Sequence, residues 1–450
     1  MTPATETIAA IRFGCGLPLS GKAPRDAKAM IAALAGPDRM AQAWPLAGQE
    51  ALAPLQFAAA EAKKVRGAGR EKAINDARAQ IVAVSEQAVR GTLARAVAAE
   101  DGFRERLAAF WADHFTVIAA NLSEAAIPQA LIEDAIRPHL AGHFPDMLIA
   151  VSLHPSMLTY LDQAVSVGPN SQRGQRKEAG LNENLARELL ELHTLGVGGG
   201  YAQADVRELA ELLTGLTWDP RRGFEYDKRR AEPGAETVLG VTYTGEKVAT
   251  IRQALSDIAL RPETAAHLAR KLAVHFVADQ PDPAMVEAMA GAYTASGGNL
   301  VQVYAAMLDH PAAWTGPLTK ARQPLDLTIA ALRALGVTAD QIMSMPAGRL
   351  RKLVVGHLAA MGQPFRRPRG PDGWAEEEEA WITPSGLAAR VTWAMTVPQQ
   401  LLRELPDPVE FARRALGDRA SEALLWAAAR AEKRSEGVGI VLASAEFNRR

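Results

Sequence analysis

Apolar residues recur three and four positions apart along most of this chain, the spacing that puts them on one side of a helix. Segments 26–36, 47–64, 70–99, 103–115 and 123–151 all carry the pattern, with breaks at Gly36-Pro37, Gly67 to Gly69 and Gly102. Pro128, Pro138 and Pro145 must kink or divide the last of these segments, because a proline inside a helix removes a donor and clashes with the preceding turn. Further helices are predicted at 183–195, 203–217, 247–260, 262–279, 283–296, 299–309, 321–335, 339–344, 346–361, 384–403, 408–416, 419–432 and 437–446. One interruption is β-like. Phe224 to Tyr226 and Thr237 to Tyr243 are rich in β-formers, with Glu232-Pro-Gly234 as the turn expected between them. The fold class predicted is therefore all-α (mainly α), a large multi-helix globular assembly with one small inserted β-hairpin. Three regions are read along it: 1–160, 161–320 with the central helix and hairpin, and 321–450. Two long loops stand out, 163–182 and 364–383, the second containing Pro368-Arg-Gly-Pro-Asp-Gly-Trp374. Loops of that length in a helical protein are usually functional or disordered.

Composition narrows the classes. Hydrophobic residues at 48% and charged residues at 22% give the balance of a globular chain. Fifty Lys and Arg nearly cancel 51 Asp and Glu, so no net field draws the molecule to nucleic acid or anionic lipid. The basic run Arg173-Gly-Gln-Arg176-Lys177 is short and is read as part of a solvated loop, and no nucleic-acid partner is expected. No stretch approaches the ~18 uninterrupted apolar residues of a membrane span. Cys15 is the one cysteine, which fits a reducing compartment, and the start Met1-Thr-Pro-Ala has no basic region before its first apolar run. A cytoplasmic location is expected, with export bound to a partner left open.

The most informative stretch runs from Gly180 to Gly196. Asn182 reads as an N-cap and Gly196 as the residue just past the helix end. Glu183, Arg187 and Glu191 form an i, i+4, i+8 row, with Asn184 and Glu188 beside it. All five fall in a sector roughly 140° wide, while Leu185, Leu189 and Leu192 line the other side. One reading is a solvated amphipathic face whose ion pairs contribute ~0.3–0.5 kcal/mol each. The sharper reading buries that face beneath the 163–182 loop as a carboxylate–amide–guanidinium site. Arg187 would then orient an anionic substrate, and a glutamate raised in pKa would act as acid or base, a hydrolase being one outcome. A third reading is a purely structural polar network.

Glu188, Glu191 and His193 invite a metal reading, yet on a regular helix His193 points roughly 140–160° away from both glutamates. His193 and His114 are therefore weak candidate ligands. His114, in Trp111-Ala-Asp-His-Phe115, reads first as a core histidine donating a hydrogen bond, with a base or a ligand as the alternatives. No phosphate-binding glycine loop, zinc cysteine pair or nucleophile elbow occurs in the chain. No cofactor is expected.

The segment from Leu181 to Tyr201, followed by Gln203 to Glu208 and Leu213-Thr-Gly215, closely resembles the signature of the bacterial domain-of-unknown-function 1800 family. Phe110-Trp111, His114-Phe-Thr116, Tyr160-Leu-Asp162, Gly168-Pro-Asn-Ser171, Ala269 to Leu272, His275 to Ala278, Gly370 to Trp374 and Leu442 to Phe447 are similar to it as well. The resemblance runs from about Arg12 onward and implies one continuous family domain without an assigned activity. Members often carry a histidine where this chain has Ala112, another where it has Ala231, and a threonine at Ala202 that would form a capping box with Asp205. A divalent metal is thus an option weakened by Ala112 and Ala231. Genes of the family often lie beside those of a sulfatase-like family, domain of unknown function 1501. The resemblance accordingly implies a binding or accessory protein acting with such a partner enzyme, ranked ahead of the enzyme reading and of the structural one.

Overall fold

The 70–99 pattern becomes a single 29-residue helix, α1 (Arg70–Ala98). The computed structural model describes residues 4–18, 26–176, 180–245 and 247–450; Lys177 of the basic run and the extreme N-terminus lie outside them. After α1 the chain reverses through Gly102, whose φ of +70° suits glycine. A Cβ there would sit 2.6 Å from the Cys15 backbone nitrogen, so close approach also demands glycine. The reversal launches α2 (Phe103–His114), which buries Phe103, Leu107, Phe110 and Trp111. Trp111 satisfies its indole N–H on the Tyr304 hydroxyl at 2.7 Å.

The prolines act as predicted. Pro128 lies in the first turn of α3 (Ile127–Leu131), Pro138 in a short 3-10 turn, and Pro145 in the first turn of the helix Phe144–Ser152. The central helix differs from expectation. α4 (Asn184–Glu188) runs straight into a π turn over Leu189–His193. Asn182 still holds the start, its Oδ1 accepting from the Asn184 N–H at 2.8 Å. α5 (Gln203–Leu212) follows, and Asp205 reaches back to the Ala202 N–H at 2.8 Å, so half of the capping box forms without threonine.

The single predicted hairpin is two. β1 (Leu216–Asp219) pairs with β2 (Gly223–Tyr226), and β3 (Ala235–Val238) with β4 (Val241–Thr244), both antiparallel. Thr237 to Tyr243 is not one strand. It turns at Leu239 and Gly240, both with positive φ, the conformation a two-residue hairpin loop requires. Glu232-Pro-Gly234 links the two hairpins and closes neither. Helices α6 (Pro262–Phe276) and α7 (Pro324–Ala334) complete the set that matters for the site.

Two large clusters of buried apolar side chains form the interior. One extends from Ile8 to Ala313; the other runs from Leu327 to Phe447 and takes in Cys15 and the end of α1 from Val89 to Val97. Burying each leucine or phenylalanine contributes about 1.5–3 kcal/mol, so either cluster is a sizeable core. Arg333 of α7 pins the end of α1 into the second cluster. It is 2% exposed and donates through one nitrogen to the carbonyls of Ala96, Val97 and Ala99 at 3.1, 2.8 and 2.5 Å. These are the acceptors that the end of α1 leaves unpaired. The fold is mainly α with small β hairpins, and among the described residues no helix is long and apolar enough to cross a membrane.

Candidate functional site

The expected row on the central helix forms, and it is wet. Arg187 meets Glu183 at 3.1 Å and Glu191 at 3.7 Å, with side-chain exposures of 38%, 32% and 31%. Gln203 of α5 closes the group, accepting from Arg187 at 3.0 Å and donating to Glu183 at 2.9 Å. Asn184 is exposed. The guanidinium expected to orient a substrate is therefore occupied by its own helix. Glu188 stands apart from the row. Burial pushes its carboxyl up to about 7, reinforced by Glu191 and Asp372 and opposed by Arg187. Tyr160 feels the same surroundings, raised by burial and then by Glu188 and Asp372.

The π turn decides where the histidines go. The widened turn ends at His193, which is 2% exposed, and the Thr194 hydroxyl donates to the Leu189 carbonyl at 2.5 Å. Freed carbonyls at this end are taken by ring nitrogens. His114 Nε2 lies 3.2 Å from the His193 carbonyl, and His267 Nε2 lies 3.3 Å from that of Leu192. Both rings thus carry their proton on Nε2, an assignment from the bonding partners. Gly196, at φ +84°, leaves room for His267; a Cβ there would sit 2.6 Å from its Nδ1. The His114 ring centroid is 6.0 Å from that of His193 and 6.5 Å from that of His267. Burial drives all three below their ordinary range, His193 to about 3, His267 to about 4 and His114 well down. The charge of Lys271 is the next cause in each case, so these imidazoles are neutral.

Lys271 belongs to a second i, i+4, i+8 row, His267–Lys271–His275 on α6, which the sequence reading passed over. Lys271 makes no hydrogen bond or ion pair among the described residues, and burial lowers its pKa against the pull of Asp113, Glu376 and Asp372. Asp113, at the end of α2, is the opposite case. Burial raises its carboxyl to about 7, helped by Glu376 and Asp372 and opposed by the Trp374 N–H and Lys271. The Trp374 N–H points at both carboxylate oxygens, at 3.0 and 3.1 Å. That contact requires Gly373, at φ +81°, since a Cβ there would meet the Asp113 carbonyl and Oδ2 at 2.7 Å each. The 364–383 loop is therefore docked on α2, which explains its glycine and its tryptophan.

Deeper in, α6 contributes His275, 6% exposed. Its Nδ1 is 2.5 Å from Glu376 Oε1, and Arg106 donates to its Nε2 at 3.0 Å. Arg106 pairs with Asp326, which Arg450 also reaches at 3.2 Å. Lys320, 1% exposed, pairs with Asp279 at 2.7 Å and Glu376 at 3.2 Å. Held between a guanidinium and a carboxylate, His275 is neutral with its proton on Nδ1; burial takes it to about 3.

The metal reading does not fit these residues. Among the described residues, the one group of three whose ligand atoms all approach within 4.8 Å is Glu208, Glu211 and Glu236, which contains neither His114 nor His193. The cation beside the three imidazoles is Lys271. Ala112 lines a pocket and Ala231 packs against Gly215, and neither offers a ligand atom.

That pocket encloses about 130 Å³. Asp113, Trp374 and His275 line it together with Arg366 and the apolar Ile132 and Phe365. Mostly apolar walls with a few converging polar groups are the usual make-up of a small-molecule site.

The model of the family described as protein of unknown function, DUF1800, matches residues 19–449. No curated protein and no solved structure matches the chain.

Proposed function

Because the chain belongs to the DUF1800 family, whose description assigns no activity, we propose its function from the site alone: it is an enzyme that performs acid–base chemistry on a small molecule held in the Asp113 pocket. The observation behind this reading is the juxtaposition of Asp113 and Lys271, which act on each other through space. One is a carboxyl gripped by the Trp374 N–H and poised about 7; the other is a half-buried amine without a bonding partner among the described residues. A group whose pKa lies near the working pH can both take and return a proton within one turnover. In a hydrolysis, Asp113 takes a proton from the attacking water and passes it to the leaving group. Lys271 steadies the carboxylate form that stands before the first transfer and is restored after the second. The neutral histidines and the docked 370–376 segment keep bulk water from the pair.

An accessory role beside a sulfatase-like partner, and a cytoplasmic location, are also proposals, carried by the resemblance and by the sequence pattern. The enzyme reading has named side chains behind it and is preferred.

Competitive labelling of amines across a pH series, read peptide by peptide in a mass spectrometer, tests it. Lys271 should become reactive at lower pH than the surface lysines. Asp113→Asn, which removes the charge that raises it, should move that midpoint lower still. If Lys271 titrates with the surface lysines, the reading is wrong.

A further inference from the structure

Four arginines line the pocket, and three of them are neutralised. Arg95 forms a two-pronged pair with Glu133 at 2.7 and 2.9 Å, Arg137 meets Glu105 and Asp38, and Arg106 meets Asp326. Arg366 is the exception. One of its terminal nitrogens donates to Gln129 Oε1 and the other to Thr92 Oγ1 at 3.0 Å, both neutral acceptors. No carboxylate lies within ion-pair reach of it among the described residues, and its Nε–H makes no hydrogen bond there. The acid that acts on it, Glu133, has both oxygens committed to Arg95. Burial accordingly lowers the guanidinium to about 10.

The backbone shows that this placement is imposed. Arg366 has φ +50°, one of three non-glycine residues with positive φ among those described. A left-handed arginine persists only where its surroundings over-determine it, and such residues concentrate at ligand sites. Here the anchors are Thr92 on α1 and Gln129 on α3. A half-buried charge without a counter-ion still loses hydration, and a ligand anion would supply the missing partner. Phe115, Leu131, Ile132, Leu358 and Phe365 give the same space an apolar portion of wall. Pro128, Gln129, Phe365 and Arg366 are shared with an outer groove of about 350 Å³, which puts the arginine at the junction of the two.

We propose that Arg366 is the anion-recognition residue of this pocket and that its ligand is a small carboxylic acid with an apolar body, the carboxylate lying on the free edge of the guanidinium. This names the substrate class of the reading above and rests on it only in taking the pocket as the substrate's. A planar two-oxygen head matches the donor fork of arginine, and a cavity of about 130 Å³ accepts a chain or ring of roughly six to eight carbons.

Isothermal titration of the full chain with octanoate and with benzoate tests it, with octanol and benzyl alcohol as uncharged controls. The carboxylates should bind saturably, roughly tenfold or more tightly than the matching alcohols. Arg366→Gln should abolish that preference. Ile132→Trp, which fills the pocket and leaves the arginine in place, should abolish binding of both acids. Asp113→Asn removes a negative charge and should keep or strengthen binding, so a failure of the Asp113–Lys271 reading is told apart from a failure of this one. Equal binding of acids and alcohols, full octanoate binding by a folded Arg366→Gln chain, or no saturable binding of either acid at millimolar concentration overturns the proposal.

Discussion

Glu183–Arg187–Glu191 on α4 and His267–Lys271–His275 on α6 are two rows of ionisable groups with identical spacing and opposite fates. The first lies at the surface, where its members neutralise one another and Gln203 completes the set. The second faces inward against the end of α2 and the docked 370–376 segment, where its histidines are neutral and its lysine has no bonding partner among the described residues. A period of 3.6 residues specifies which side chains share a face. Whether that face meets water is decided by segments far away in the chain. In the second row those segments are α2, with Asp113 and Arg106, and the stretch from Asp372 to Glu376.

This contrast can be broken from either side. The largest effect is expected beneath the α6 row, where Lys320→Met leaves Asp279 and Glu376 without their shared cation. Removing one partner of a buried pair costs roughly 3–5 kcal/mol, read as a lower denaturation midpoint in urea. A smaller effect, with a distinctive pH signature, belongs to Glu188. Its folded pKa is raised to about 7, so the folded state binds the proton more tightly than the unfolded chain. The stability this supplies is fully present below the unfolded value near 4.5 and is lost as pH rises through 7. Glu188→Gln should therefore stabilise the protein by ~1 kcal/mol at pH 8, after allowance for solvent screening, and give no gain at pH 4. The smallest effect is at the surface row. Arg187→Gln should cost only a few tenths of a kcal/mol at low salt and nothing measurable in 1 M salt. A loss above ~2 kcal/mol there would show that the α4 row is buried after all.

Much of the helical fold was legible because Gly36-Pro37, Gly67 to Gly69, Gly102 and the three prolines act within one or two turns of their own position. The hairpins were legible only as β-forming composition. The Leu239–Gly240 reversal is carried by a leucine in a left-handed conformation, which no propensity favours, so one strand was read where two exist. In the candidate site, His114, Glu188 and the Gly370 to Trp374 loop were visible as residues, but their grouping was not. Asp113 becomes interesting only when Gly373 and Trp374 close over it. The π turn after Glu188 could not be foreseen from spacing, and it is what frees the Leu192 and His193 carbonyls to orient His267 and His114. The α6 row had the same periodic signal as the α4 row and lacked only a cluster of carboxylates to draw attention to it.

The Arg333 side chain that collects three carbonyls at the end of α1 has a bearing on how the molecule comes apart. That guanidinium is rooted in the C-terminal core, and its acceptors terminate a helix whose last turns are packed in that same core. Separate melting of the C-terminal portion would strand a cation and unravel the helix end in the same event. Amide protons on either side of this junction should therefore exchange with deuterium at a common slow rate, and limited proteolysis should find no intact half to release.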